Sequence, residues 1–151
     1  MTKLALFDMD GTLSDDAHRN AEYEVGKYSS YWDSDKMLAD PAYPEALQMM
    51  EDLLADDWAI GVLTARLERN LATTKTWLDN FDLSEKVTGP IVLRPEWLHH
   101  MRAWQFKPLA MRLLTESKLY SDIILVEDDY LVSVAVHQQF GAGHIVRATW
   151  K

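Results

Sequence analysis

The chain has 151 residues, no cysteine and a formal net charge of -9. A disulfide framework and a thiolate metal site are therefore excluded, and so acidic a chain does not coat nucleic acid by neutralising a long run of phosphates. Hydrophobic residues at 48% and charged residues at 26% are globular proportions. The length suits one domain, residues 1–151, that buries roughly two thirds of its unfolded surface.

The start, MTKLALFDMD, lacks a secretory signal's long apolar core and small-residue cleavage site, and no apolar run approaches a membrane span. A cytosolic protein without a membrane partner is the expectation. Lys3 to Phe7 reads as a short buried strand, and FDMDGTL follows at its carboxyl end, where open α/β sheets bind ligands. Alternation along extended chain turns Asp8 and Asp10 the same way, with Met9 inward. Carboxylates that close raise each other's pKa unless a cation neutralises them, and oxygen ligands at a strand end suit Mg²⁺. Gly11 permits a sharp turn beside a ligand, and Thr12 offers a hydroxyl and an amide. A calcium loop is not supported, because Asn20 and Ala21 stand in the region where its closing Glu would fall.

Residues 14–27 predict a helix capped at Asp15 or Asp16, and SSYWDSDKMLADPAYP predicts an irregular excursion that could lie over the site. Tyr28, Tyr31 and Trp32 there suit local packing better than base stacking. Pro44 opens a helix whose apolar positions run to Leu54, and Trp58 to Leu63 forms a second strand ending at Thr64-Ala65-Arg66. A crossover of that length makes the two strands parallel neighbours and brings Thr64 beside Asp8. A helix is expected over 68–81, a third strand over 91–93 leading into Arg94, and a helix beyond Pro108. A strand over 122–126 follows, running into Glu127-Asp128-Asp129, then a helix stopped by Gly141 and a last strand from His144. Strands alternating with helices predict an α/β fold, a parallel sheet of about five strands covered on both faces.

Asp8 and Asp10, Thr64, Lys107 and Asp128 thus fall at or near strand ends. They supply a carboxylate nucleophile, a proton donor, a hydroxyl and an ammonium for phosphate oxygens, and a carboxylate for a metal, which are the parts that phosphoryl transfer needs. Each has an ordinary reading as well. Asp128 and Asp129 could cap a helix, Thr64 could do the same, and Lys107 before Pro108 could be a surface residue. Co-occurrence in this order favours the chemical reading. The five histidines show no zinc-binding spacing.

With FDMDGTL, GVLTAR, FKP and ILVEDD in that order, the chain resembles the haloacid dehalogenase (HAD) superfamily of phosphohydrolases over nearly its whole length. The resemblance implies a Rossmann-like fold with a minimal cap and an aspartyl-phosphate mechanism. In it Asp8 is the nucleophile and Asp10 the general acid and base. Thr64 and Lys107 hold the phosphate, and Asp8, the backbone carbonyl of Asp10 and Asp128 hold Mg²⁺. Gly11, Thr12, Ala65, Arg66 and Arg94 are expected on the substrate. A narrower similarity joins DGTL followed by His18-Arg19, the Leu93-Arg94-Pro95 step and EDD before an amphipathic helix to the phosphatase domain of phage polynucleotide kinase-phosphatases and stand-alone relatives. A phage-encoded chain of this kind would act in the host cytoplasm. No GxxxxGK[ST] occurs, so the kinase half has no counterpart in this chain. Relatives often carry acidic and glycine residues after the Arg-Pro step, where this chain has Glu96-Trp97-Leu98-His99-His100.

The expected substrate is a nucleotide or a short nucleic-acid end bearing a 3′ phosphate. Arg66, Arg69, Arg94, Arg102 and Lys107 form a local basic mouth in an acidic chain, which engages a terminal phosphate and a few nucleotides at most. Little chain separates the first motif from Pro44, so no large lid is expected. Three alternatives stand beside this reading: a receiver-like phosphoacceptor, a silent phosphate-binding module of the same fold, and a phosphatase of small non-nucleotide esters. A receiver would carry its phosphorylated Asp at the end of the third strand, where this chain has Leu93-Arg94-Pro95.

Overall fold

The computed structural model describes residues 1–151. Five strands form one all-parallel sheet in the order β3-β2-β1-β4-β5: β1 Thr2–Phe7, β2 Trp58–Leu67, β3 Ile91–Arg94, β4 Tyr120–Glu127 and β5 Ile145–Arg147. β1 lies at the centre. Its residues are flanked on both sides, so a continuous apolar run is what a strand in that place requires. The pleat divides the run between two cores. Ala5 and Phe7, with Ile60, Val62, Ile124 and Val126 of the neighbouring strands, face one core. Leu4 and Leu6, with Ile123 and Leu125, face the other.

Helices α4 (Pro44–Ala55) and α5 (Leu71–Asn80) cover the first face through Ala46, Met50, Trp77 and Leu78. Helices α6 (Ala103–Glu116) and α7 (Tyr130–Phe140) cover the second through Phe106, Ala110, Met111, Val132 and Val136. Each buried aliphatic or aromatic side chain contributes about 1.5–3 kcal/mol. No helix is long and apolar enough to cross a membrane.

Expected and observed elements differ in three places. The excursion after the first motif is not irregular: beyond α1 (Ala17–Glu24) it folds into two short helices, α2 (Tyr28–Tyr31) and α3 (Ser34–Leu38). Tyr31 and Met37 anchor them in the interior, which a pattern so short and aromatic did not reveal. β2 continues to Leu67, because β3 pairs with it beyond the bend, Leu67 opposite Arg94. α6 begins at Ala103 rather than beyond Pro108, so the proline sits inside the helix. Pro108 removes only its own amide from the ladder, and burial of Phe106, Ala110 and Met111 outweighs that loss.

Two glycines set how closely the loop before β3 approaches the sheet. A Cβ on Gly61 would lie 2.7 Å from the Pro90 carbonyl oxygen, and one on Gly89 would lie 2.9 Å from that of Ile60. These are backbone atoms and cannot turn aside. Gly61→Ala is therefore expected to destabilise the fold by about 1–3 kcal/mol, read as a lower urea midpoint at unchanged m-value. An unchanged midpoint would show that the loop can retreat.

Candidate active site

β1 and β4 run in register, Phe7 opposite Val126, so the next residues, Asp8 and Glu127, emerge together at the carboxyl edge of the sheet. The Asp8 amide donates to the Val126 carbonyl at 3.0 Å and prolongs the pairing by one step. From α6, Lys107 reaches in, its Nζ 2.7 Å from Asp8 Oδ1 and 2.5 Å from Glu127 Oε1. All three side chains are almost wholly enclosed. Burial, then the Glu127 charge, push Asp8 well above the usual carboxylate range. Burial also raises Glu127, while the two carboxylates outweigh desolvation at Lys107 and raise it.

Beyond Asp8 the chain turns tightly. Gly11 has φ +86° and comes so close to Asp128 that a Cβ would stand 2.3 Å from its Oδ2. Only glycine fits both the left-handed backbone and that approach. Thr12, fully buried, has its hydroxyl 3.2 Å from Asp8 Oδ2 and 3.2 Å from Asp128 Oδ1, and can donate to one of them at a time. The amides of Gly11 and Thr12 are not on offer to a ligand: they donate within the turn, to Ser14 and Met9 carbonyls. Asp128 is pushed up to about 6 by burial and by Asp8, against Lys151, whose Nζ lies 3.2 Å from it. Trp150 pins that terminal residue by donating to the Thr12 carbonyl at 2.9 Å.

Asp10 borders the same hollow but answers to different partners. Arg66 grips it in fork geometry, Nε to Oδ2 at 3.0 Å and Nη2 to Oδ1 at 2.7 Å, and Arg19 Nη2 donates to Oδ1 as well. Although burial opposes it, these two guanidinium groups hold Asp10 ionised, well below the usual carboxylate range. Asp40, with no exposed side-chain surface, extends the network. It accepts from Arg19 Nε at 3.0 Å and Nη2 at 2.7 Å, with His18 Nε2 at 2.6 Å. Tyr31 lies under the Arg19 guanidinium, 4.4 Å from centroid to carbon, and gives its hydroxyl to Asp16 at 2.7 Å.

A hollow of about 220 Å³ is lined by Asp8, Asp10, Thr64, Ala65, Arg66, Lys107 and Asp128, together with Glu127 and residues of the α1–α2 segment. The structure thus brings together nearly every residue expected at the site. It corrects the expectation in four respects. Arg66 is spent on Asp10 and Thr74 and is fully buried. Thr64 Oγ1 accepts the Arg66 amide at 3.1 Å while still bordering the hollow. Gly11 and Thr12 are not among the residues lining the hollow, and their amides are engaged within the turn. Arg94 lies outside the hollow, its Nη1 donating to the carbonyls of His99, at 3.2 Å, and of Met101.

Sequence reasoning passed over Glu127 and Asp40. Glu127 had a signal, since it ends an apolar strand run as Asp8 does. Asp40, in Leu38-Ala39-Asp40-Pro41, looks like any turn residue. Carboxylate oxygens of Asp8, Glu127 and Asp128 lie within 4.8 Å of one another, and such a set can hold a metal ion. The donor chemistry fits a hard divalent cation, since all three are carboxylate oxygens; burial first, and then neighbouring carboxylates, raise their pKa values.

No family model matches the sequence, and no curated protein matches it. Solved structures share the fold at low identity. One is the Pnkp1/Rnl/Hen1 RNA repair complex, 12% identical, with a TM-score of 0.70 over 98% of this chain; this chain spans 42% of that one. A predicted phosphatase from Clostridium acetobutylicum is 16% identical with a TM-score of 0.66, covering 98% of this chain and 94% of its own. A haloacid dehalogenase-like hydrolase from Streptococcus pneumoniae is 14% identical with a TM-score of 0.64, at 91% and 80% coverage. The chain has the fold of HAD-superfamily hydrolases and phosphatases.

Two expectations follow from the site. Removing Arg19 leaves Asp40 buried with its main counter-charge gone, so Arg19→Ala should cost about 3–5 kcal/mol in urea unfolding; a loss under half of that would mean that Arg66, 4.0 Å from Asp40, takes its place. Asp128 is protonated below about pH 6, and a divalent cation must displace that proton. Calorimetric affinity for Mn²⁺ or Mg²⁺ should then fall as pH drops through 6, with the raised Asp8 and Glu127 carboxyls adding to the same dependence. A flat profile would contradict the raised carboxylates.

Proposed function

We propose that this chain is a Mg²⁺-dependent phosphomonoesterase that works through an aspartyl-phosphate on Asp8, with nucleotides or nucleic-acid 3′ phosphates as substrates. The observation that carries the reading is the setting of Asp8: a buried carboxylate with Lys107 on one oxygen and the Thr12 hydroxyl beside the other, opening on a hollow edged by Asp10, Thr64 and Asp128.

Asp8 Oδ2 attacks phosphorus, the ester P–O bond breaks, and the phosphoryl group is carried on Asp8. Lys107 and the Thr64 hydroxyl offset the charge of the phosphoryl oxygens, and the turn at Gly11 holds the nucleophile in place. Asp10 gives a proton to the departing oxygen, then takes one from the water that attacks the acyl phosphate, releasing phosphate and restoring Asp8. Its pairing with Arg66 and Arg19 suits the second half-reaction, in which it must begin ionised. In the first half-reaction it must carry a proton, which the same two guanidinium groups oppose. Asp8, Asp128 and Glu127 would hold the metal, which neutralises charge between the carboxylates and the incoming phosphate. Glu127 otherwise keeps Lys107 aimed at Asp8.

A hollow of about 220 Å³ accepts a terminal phosphate and its sugar but not the length of a polymer. The RNA repair complex among the structures of the same fold supports work on nucleic acid. Asp8→Asn should abolish phosphate release at unchanged thermal stability or better, because an amide is neither a nucleophile nor a charged ligand; turnover at the wild-type rate excludes the mechanism. Asp10→Asn should lose about 10²–10⁴-fold with alkyl phosphates and much less with p-nitrophenyl phosphate, whose leaving group needs no proton. Equal losses on both would remove Asp10 from acid catalysis.

A further inference from the structure

A second hollow, of about 290 Å³, adjoins the carboxylate site: Tyr23, Trp32, Ala65 and Ala103 line both. Its electrostatics are reversed. No acidic residue lines it, whereas Arg94, Arg102, His99 and His100 do, in a chain with 24 acids and a net charge of -9. The nearby carboxylate of Glu96 is already engaged, its two oxygens accepting from Arg69 Nε at 3.0 Å and Nη2 at 2.7 Å.

Arg94 is the group without a counter-charge. It ends β3, gives Nη1 to two backbone carbonyls and makes no ion pair. Its Nε is buried with no hydrogen-bond partner, and burial draws its pKa below the ordinary value. A half-dry guanidinium with no ion pair is costly, and an anion in the hollow that it lines offsets its charge. The fork geometry of arginine matches phosphate. Trp32 borders both hollows and also a third, which Arg94 shares, so an indole stands at the junction between the carboxylates and this cation. Sequence-tolerant stacking of a base on such a ring is the usual companion of a phosphate contact in single-strand binding.

We propose that the Arg94 hollow receives the phosphodiester next to the cleaved phosphate, with the adjoining base against Trp32 and Tyr23. The preferred substrate is then an oligonucleotide of at least two nucleotides ending in a 3′ phosphate, rather than a mononucleotide. This rests on the phosphatase reading of the carboxylate hollow and adds a subsite to it.

The test compares kcat/KM on thymidine 3′-phosphate, thymidine 3′,5′-bisphosphate and the 3′-phosphorylated dinucleotide TpTp, with the matching uridine series for ribose. Wild type should favour the dinucleotide over the 3′-mononucleotide by about tenfold or more, and Arg94→Ala should bring the ratio to within about twofold of one. Arg94→Lys should keep part of the preference. Arg102→Glu reverses charge in the hollow without disturbing the carbonyls that Arg94 holds, and should lower the ratio as well. A ratio near one in wild type, or one that survives both Arg94→Ala and Arg102→Glu, overturns the proposal. A bisphosphate as good as the dinucleotide assigns the hollow to a free nucleotide and overturns the oligonucleotide. If wild type releases phosphate from none of these, the phosphatase reading falls, and the subsite is judged by tryptophan fluorescence with TpT, which has no terminal phosphate. Saturable quenching that both variants lose upholds the subsite, and its absence in wild type overturns it.

Discussion

The contact on which the rest of the molecule depends is that of one buried ammonium with two carboxylates, Lys107 with Asp8 and Glu127. Two acids side by side at the ends of adjacent parallel strands repel each other, and burial makes the repulsion worse. The central strand can end in Asp8, and its neighbour in Glu127, only because α6 delivers a positive charge between them. The lysine that meets this demand lies in the first half of α6, one residue before the buried proline. With Asp128 added, three carboxylates face Lys107 and Lys151, and such a cluster can hold a metal ion.

A second network orders the chain that follows the first motif. Arg19 lies between Asp10 and Asp40, and His18 and Arg66 lie beside them, so α1, the turn after α3 and β2 are held at one point. Buried ion networks of this kind add less to net stability than their number suggests, yet removing one member strands the others. The same network sets the state of Asp10. Fixed between two guanidinium groups, Asp10 is held ionised. Stability of the excursion and chemistry at the site thus draw on the same side chains.

Fold similarity at 12–16% identity reaches no further than the fold, and folds of this kind host many reactions. What narrows the function is local: the carboxylate cluster against Lys107, and next to it a hollow of opposite sign in a chain of net charge -9.

Sequence alone determined the architecture and singled out most of the side chains that meet at the carboxyl edge of the sheet. The apolar runs at β1, β2 and β4, each closed by a polar strand end, fix a parallel sheet, because alternating strands and helices of these lengths have few other ways to bury both faces. Asp8, Asp10, Thr64 and Asp128 could be named because strand ends in such a sheet converge on one edge, whereas Lys107 comes from within α6 and is legible only through its FKP motif. What the sequence could not hold is the pairing of charges across that edge. Whether Arg66 meets a substrate or Asp10, whether Arg94 joins the carboxylates or faces its own hollow, and that Asp40 is buried rather than a turn residue, depend on strand register and on where α1, α2 and α3 settle. Those placements arise from contacts between residues far apart in the chain, so no local pattern carries them, and only the folded chain decides which arginine is left with a charge to offer.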